Sequence, residues 1–540
     1  MPDLLIANAR IFDTSGVSAG SILVQDGRIS ATGSDLDVPP GTPELDAAGG
    51  LVLAGFQDSH IHPYHAGLEL LQCSLSELHS AAAYLGAIGE YAAAHPELEW
   101  IEGAGWGMDA FPGGIPTAAE LDRVVPDRPA FFPNRDGHGA WVNTRALQIA
   151  GIDDATPDPF DGRIERDADG HAIGMLQEGA QGLVTPFLPG ATQDTMDEAF
   201  RVAQRQLLAW GVTAWQDAIV GSGIGGKTPD LLDSYLRMAD SGELRAHVVG
   251  ALWWDRDRGL EQIDELVERR ARAEGRDRFR ATSVKIMQDG VAENHTAAML
   301  ADYLDPHQHG VGGAGTSFVA PELLTEAVIR LDALGFQVHF HALGDRAVRE
   351  SLDAIEAAQA ANGIRDARHH LAHLQVIHPD DVPRFARLGA VANAQPLWAR
   401  HEVQMDELTI PFLGDERSRW QYPFGSIVRS GGRIAFGSDW PVSTADPIQI
   451  IHTAVNRTPT EGGARPVLAE QALSLADSLV AHTAGTAHVN HDEGHSGRIA
   501  PGLRGDLVVL SDDPFDRPAA EFLTSRVRAT VLDGEVVYEA

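Results

Sequence analysis

At 540 residues the chain is long enough for two or three domains or one large barrel with additions, and its hydrophobic content of 44% is that of an ordinary globular protein. Its formal net charge of -36, from 41 Lys+Arg against 77 Asp+Glu, is spread along the chain and repels phosphate backbones and anionic lipid, so neither nucleic acid nor membrane is an expected partner. Cys73 is the only cysteine, which excludes an intramolecular disulfide and a thiolate metal cluster and leaves His, carboxylate or modified Lys to hold any metal.

Taken in chain order, the opening MPDLLIANARIFD has neither a basic start nor a long apolar stretch, and no run of about 18 apolar residues follows, so a cytoplasmic chain is expected. The first fifty residues read as short strands between turns: LLIANARIFD, SILVQDGRISATG with an Asp-Gly turn, then the Pro/Gly-rich VPPGTPELDAAGG. The last fifty have the same texture in HSGRIAPGLRGDLVVLSDD and RVRATVLDGEVVYEA. Residues 1–50 and 490–540 are therefore expected to make one small composite β domain, a β-sandwich built from both termini, with 51–489 inserted into it.

Within the insert, apolar segments ending in Gly, Asp or His recur near 52–62, 211–218, 244–254, 281–290, 336–345, 369–375, 390–396 and 433–441. Between several of them lie stretches such as DTMDEAFRVAQRQLLAW and ELLTEAVIRLDALG, with apolar positions every three or four residues. Eight alternations of strand and helix predict an α/β fold, a TIM-like (β/α)8 barrel whose chemistry sits at the C-terminal ends of its strands. The first two strands are about 150 residues apart rather than the roughly 30 of a βαβ unit, which places an insertion at about 65–200 beside the barrel mouth. Its stretches GAGWGMDAFPGGIP and AFFPNRDGHGAWVN are expected to be pocket-lining loops rather than a regular core.

Candidate chemistry gathers at the strand ends. His60 and His62 follow the apolar run LVLAGF, and residues two apart on a strand face the same way. Among 23 histidines the pair alone reads equally as solvated loop residues or as half of a transition-metal site. Lys285 lies in ATSVKIMQDG, a strand expected to be buried on both faces, where a bare ammonium carries a large desolvation cost. It reads either as a lysine snorkelling from an edge strand or as an amine carboxylated by carbon dioxide, a group able to bridge two metals. His341 shares a face with His339 at the end of the fifth strand, His373 ends the sixth and Asp439 the eighth. Singly, each fits a structural role. Together His60, His62, Lys285, His341, His373 and Asp439 ring one rim, and ligands of this kind suit Zn2+ or another divalent first-row ion.

Around that rim, Glu178 and Asp217 are acids expected near the mouth, as metal or substrate contacts or as loop and cap residues. Trp106, Phe111, Trp253, Trp254, Trp398 and Trp440 fall in or near strand-end loops; as cleft walls they favour an apolar group on the substrate, and packing between barrel and insertion accounts for each equally well. The basic residues nearest the candidate ligands by motif are Arg135 and Arg400, so a neutral or weakly charged amide ranks above a dicarboxylate.

Taken in order, GFQDSHIHP, DGHGAWVNTRAL, VKIMQDG, HFHALGD, HHLAHLQ, GSDWPV and GRIAPGLRGDLVVLSDDP resemble the motifs of the metal-dependent amidohydrolase superfamily, in its YtcJ-like branch (amidohydrolase family 3), over essentially the whole chain. The resemblance implies an enzyme hydrolysing carbon–nitrogen bonds other than peptide bonds with one or two divalent ions, zinc being expected. Position by position, it implies His60 and His62 as ligands of the more buried metal, Lys285 as a carboxylated bridge, His341 and His373 as ligands of the second metal, and Asp439 as the strand-eight acid. Some members use one metal and an unmodified residue on the fourth strand, which leaves the metal count open. VKIMQDGVAENHTAAML is further similar to the matching stretch of N-substituted formamide deformylases, zinc enzymes of this branch, so a small apolar amide is the expected substrate.

On this reading Asp439 orients a water, accepts its proton and passes it to the departing amine, while His138, His341 or His373 polarises the carbonyl oxygen. Substrate contacts are expected from His138, Glu178, Asp217, Trp106, Trp253, Trp254 and Trp398. The same site would serve a lactone, carbamate or cyclic-amide hydrolase. A catalytically inactive barrel scaffold is disfavoured because every ligand position is filled, and a sugar-phosphate barrel because no glycine-rich phosphate loop precedes a helix at strands seven and eight. The expected partners are a small-molecule substrate and, as an assembly, a second copy of the chain in a homodimer.

Overall fold

The computed structural model describes residues 3–14, 16–221, 228–305, 312–462 and 465–540. The eight apolar segments form the parallel strands Phe56–Ile61, Val212–Val220, His247–Trp253, Phe279–Met287, Gln337–Ala342, His370–His373, Val391–Ala394 and Arg433–Phe436, numbered one to eight below. Each is hydrogen-bonded to the next in that order. Beyond strand eight, Asp439 N donates to His60 O at 2.8 Å and His62 N to Trp440 O at 3.0 Å, which returns the last strand to the first. Gly437 permits that approach, since a Cβ there would stand 2.6 Å from His60 Cβ. The architecture is a TIM-like barrel.

Helices cover the outside. Gln193–Ala209 begins where the Thr192 side chain accepts a hydrogen bond from Thr195 N, and Pro321–Ala333 begins on a proline, which lacks an N–H the first turn would leave unpaired. Their apolar faces, Met196, Phe200, Ala203 and Leu207 on one and Leu324, Val328 and Leu331 on the other, join the main core. No described helix is long and apolar enough to cross a membrane.

Both termini enter one continuous eight-stranded sheet of Leu4–Asp13, Gly16–Gln25, Arg28–Gly33, Glu44–Asp46, Leu51–Ala54, Leu507–Leu510, Val527–Leu532 and Glu535–Glu539. The run expected as one strand at about 52–62 divides at Gly55. Leu51–Ala54 pairs with the terminal strands, and only Phe56–Ile61 pairs with the barrel. A side chain at 55 would collide with Thr213, whose Oγ1 would lie 2.3 Å from its Cβ. Because both halves are buried, the apolar run continues through the break without a sequence signal.

The insertion corrects a second expectation. Cys73–Ser74, Ile101–Ala104, Ala130–Pro133, Gly139–Val142, Gly162–Arg166 and Ala172–Glu178 form a six-stranded sheet, so AFFP and GAWV are paired strands rather than loops. Trp106, Phe111 and Trp141 meet edge-to-face in a core of its own. A sheet this small must fill its interior with a few large rings, which gives the segment the aromatic, glycine-rich look of a binding loop.

Candidate metal centre

The ends of strands one, four, five, six and eight open into a cleft of about 1090 Å³, which His60, His62, Lys285, His341, His373 and Asp439 all line. His60, His373 and Asp439 each bring a ligand-type atom within 4.8 Å of the others. Asp439 Oδ1 lies 3.1 Å from His60 Nε2 and 2.9 Å from His62 Nε2, and Oδ2 lies 3.9 Å from His373 Nδ1. The His341 and His373 rings are 4.4 Å apart.

Buried polar atoms are ordinarily hydrogen-bonded. Lys285 Nζ, both ring nitrogens of His373, His62 Nδ1 and Asp439 Oδ1 are buried without a hydrogen-bond partner among the described residues. The contacts of Asp439 Oδ1 to the two imidazoles are short but lack hydrogen-bond geometry. Burial holds His60, His341 and His373 well below the usual imidazole pKa, so they are neutral, the form that ligates metal. Burial also lowers the Lys285 amine to about 7, against the opposing pull of Asp439. Neutral imidazoles and a carboxylate with unused lone pairs, gathered at one point, are a donor set that fits a divalent ion. Three non-glycine residues here take left-handed backbone, with φ of 50° at Glu178, 77° at His373 and 59° at Asp439. Such conformations persist only where the surroundings enforce them.

Two acids behind the cleft carry structure that the sequence reading assigned to no residue. Asp289 accepts hydrogen bonds from Ala298 N, Leu343 N and Gly344 N and lies 3.2 Å from His341 Nδ1, which leaves His341 Nε2 free to ligate. Asp58 accepts from His60 N and Ser438 N at 3.0 and 3.1 Å and so ties the ends of strands one and eight together. Both sit inside motifs quoted above, and an acid in an otherwise buried strand end was the available signal.

The amidohydrolase family model matches residues 44–538. The chain belongs to the amidohydrolase family. It is 31% identical to Protein LONG AFTER FAR-RED 3 of Arabidopsis thaliana, with 99% of this chain and 91% of that protein covered. It is likewise 31% identical to the putative amidohydrolase YtcJ of Bacillus subtilis, with 96% of each covered. Identity to the N-substituted formamide deformylase of Arthrobacter pascens is 27%, over 100% of this chain and 99% of that one.

In this amidohydrolase, His138, Glu178, Trp253, Trp398 and Arg135 line the same cleft as the candidate ligands. Trp398 stacks on His373, with ring centroids 5.2 Å apart and planes at 8°. Trp106, Trp254 and Asp217, expected as substrate contacts, do not line it. Trp106 is wholly buried in the insertion, its indole N–H donating to Phe132 O at 2.7 Å. Trp254 points into the barrel core because successive side chains leave a strand on opposite faces and Trp253 takes the cleft side. Asp217 is not a strand end at all, since strand two runs on to Val220; its carboxylate accepts from Tyr235 Oη at 2.6 Å and Ile219 N at 2.9 Å. Phe111, Trp440 and Arg400 also lie outside the cleft lining.

Proposed function

We propose that this amidohydrolase is a metal-dependent hydrolase that cleaves the carbon–nitrogen bond of a small apolar amide, with N-substituted formamides the favoured class. The observation that carries the reading is the buried set of ligand atoms without hydrogen-bond partners on His62, Lys285, His373 and Asp439. The formamide class draws on likeness to the Arthrobacter pascens enzyme. Zinc is the proposed ion: His60, His62 and Asp439 would hold one, and carboxylated Lys285 with His341 and His373 a second. When bound, such an ion acts as a Lewis acid and lowers the pKa of water to about 7.

Asp439 orients the attacking water, takes its proton and returns it to the leaving nitrogen, a role supported by an oxygen whose lone pair no donor occupies. Water adds to the formyl carbon, the C–N bond breaks, and an amine and formate leave. Trp253, Trp398 and Met287 offer an apolar wall for the nitrogen substituent. His138 polarises the carbonyl. Its Nδ1 lies 3.0 Å from both oxygens of Glu178, and Nε2 has no hydrogen-bond partner among the described residues. Burial opposes a charge on that ring, but Glu178 lifts its pKa to about 9, so Nε2 also carries a proton to donate.

His138→Gln is expected to lower kcat by about 10²–10³-fold, the effect of losing one oxyanion donor, with metal content unchanged; steady-state kinetics beside metal analysis checks it. The substrate class is tested by comparing kcat/KM over N-alkyl and N-benzyl formamides, longer acyl amides, carbamates and lactones. Formamides should lead, and a lactone or carbamate preferred over every amide would overturn the assignment.

A further inference from the structure

The barrel interior beneath His60 is not filled with aliphatic side chains, the usual content of such a core. It holds a buried chain of amides and imidazoles whose proton positions can be worked out. An amide side chain has a defined orientation once one of its ends meets a backbone group of fixed role. Gln337 Nε2 donates to the carbonyls of Arg368 and Val489 at 2.9 and 2.7 Å, so the end of Gln337 facing Gln216 is Oε1. Gln216 Nε2 therefore donates to that oxygen at 3.1 Å, and to Asn490 Oδ1 at 2.9 Å, which makes Gln216 Oε1 an acceptor. This oxygen lies 2.7 Å from His339 Nδ1 and 2.9 Å from His370 Nε2, so both of those nitrogens carry protons.

The opposite side of the network gives the same answer independently. Gln395 Oε1 accepts from the backbone N–H of His373 at 2.6 Å, and Gln395 Nε2 donates to Asn393 Oδ1 at 3.1 Å. Asn393 Nδ2 then donates to Ser59 O at 2.8 Å and to His370 Nδ1 at 3.0 Å. His370 thus accepts at Nδ1 and donates from Nε2, in agreement with the Gln216 side. His370, accepting at one ring nitrogen and donating from the other, carries a single proton. His339 is fully buried with Gln216 and His60 as its partners and no carboxylate beside it among the described residues, so a second proton would make it an uncompensated buried cation, and with its proton on Nδ1 it has a bare lone pair at Nε2. That lone pair is 2.8 Å from His60 Nδ1, and a hydrogen bond between them requires the proton to sit on His60 Nδ1. His60 Nε2 is then a lone pair facing Asp439 Oδ1 across 3.1 Å, two acceptors with no proton between them. A cation resolves that repulsion.

We propose that Gln216 is a positioning residue for the metal centre: acting through His339, it fixes His60 in the Nδ1-protonated tautomer and leaves Nε2 as a ligand. The purpose assigned to Nε2 rests on the metal-dependent reading above, whereas the tautomer itself does not. Every member of the path from Gln337 to His60 is buried, so water does not supply an alternative set of donors and acceptors. Outer partners that hold a ligating imidazole in one tautomer typically change metal affinity 10–100-fold when lost.

The test begins with the metal-free wild-type chain, labelled with 15N-histidine. Long-range 1H–15N correlation should show His60, assigned by the signal lost in His60→Asn, protonated at Nδ1 and bare at Nε2. Gln216→Met removes the acceptor at similar side-chain length, and its zinc affinity, read by chelator competition on protein with a cooperative thermal transition, should fall about 10–100-fold. Wild-type affinity in a folded Gln216→Met chain overturns the proposal. So does a His60 signal protonated at Nε2, and that measurement on the wild type decides the matter if the variant does not fold. A chain with His60 protonated at Nδ1 that binds no zinc overturns instead the metal-dependent reading, and with it the purpose given to Gln216.

Discussion

Asp439→Asn should lower kcat by about 10²–10⁴-fold, the range expected when a general base is removed. Asparagine keeps the shape of the side chain and one oxygen able to contact an ion, but its oxygen does not take up a proton at neutral pH. His60 and His62 remain, so zinc should still be found in the purified variant. The substitution also changes the metal-free chain in a defined direction. Asp439 Oδ1 faces the Nε2 atoms of His60 and His62 at 3.1 and 2.9 Å, and the carboxylate contributes no proton to either contact. An amide N–H in its place offers a proton to the His60 Nε2 lone pair and removes that buried mismatch, so metal-free Asp439→Asn should melt above the metal-free wild type. Steady-state kinetics, metal analysis and thermal melts separate the possible results. Near-normal turnover with zinc bound removes Asp439 as the base, while lost zinc makes it chiefly a ligand.

The barrel was legible because most strands are apolar runs closed by Gly, Asp or His, and eight apolar runs alternating with helical periodicity admit few architectures. What the runs concealed was the division at Gly55, since Leu51–Ala54 and Phe56–Ile61 are buried alike although they belong to different sheets. The insertion was misread for a different reason. Its strands Ala130–Pro133 and Gly139–Val142 are four residues each, too short for a period to register against flanking glycine and proline. At the site, strand-end histidines and Asp439 stand out as residue types in the wrong setting, and family motifs order them. The layer beneath them does not stand out. Gln216 bonds His339 and His370, which lie 123 and 154 residues along the chain, and nothing local to Gln216 marks a polar residue in a strand as part of a relay. Asp289 was marked as an acid at a buried strand end, but its role exists only once strand five is laid beside strand four.

Stripping divalent ions from the folded chain should reduce turnover to background, and zinc should restore it. The physical reason is the state left behind. Lys285 Nζ, His373 Nδ1 and Nε2 and Asp439 Oδ1 have no hydrogen-bond partner among the described residues, and a buried polar group left unpaired costs about 1–3 kcal/mol. Zinc at roughly 1,000 times its dissociation constant adds about 4 kcal/mol to stability, so the melting temperature should rise with zinc concentration alongside activity. If Lys285 is carboxylated as proposed, the restoration depends on a second component. Burial lowers its pKa to about 7, so near neutral pH a large share is free amine. In the proposed carboxylation that nitrogen would add to carbon dioxide, forming an N–C bond and releasing one proton, and the amine would become a carbamate with two oxygens to offer. Reactivation by zinc should therefore be faster and more complete with bicarbonate than in carbon-dioxide-free buffer, with the bound carbon detectable by 13C resonance after labelling. Activity that survives chelation would remove the metal from the mechanism altogether. Full reactivation by zinc without carbon dioxide would remove only the modified lysine, leaving His60, His62 and Asp439 to hold a single ion.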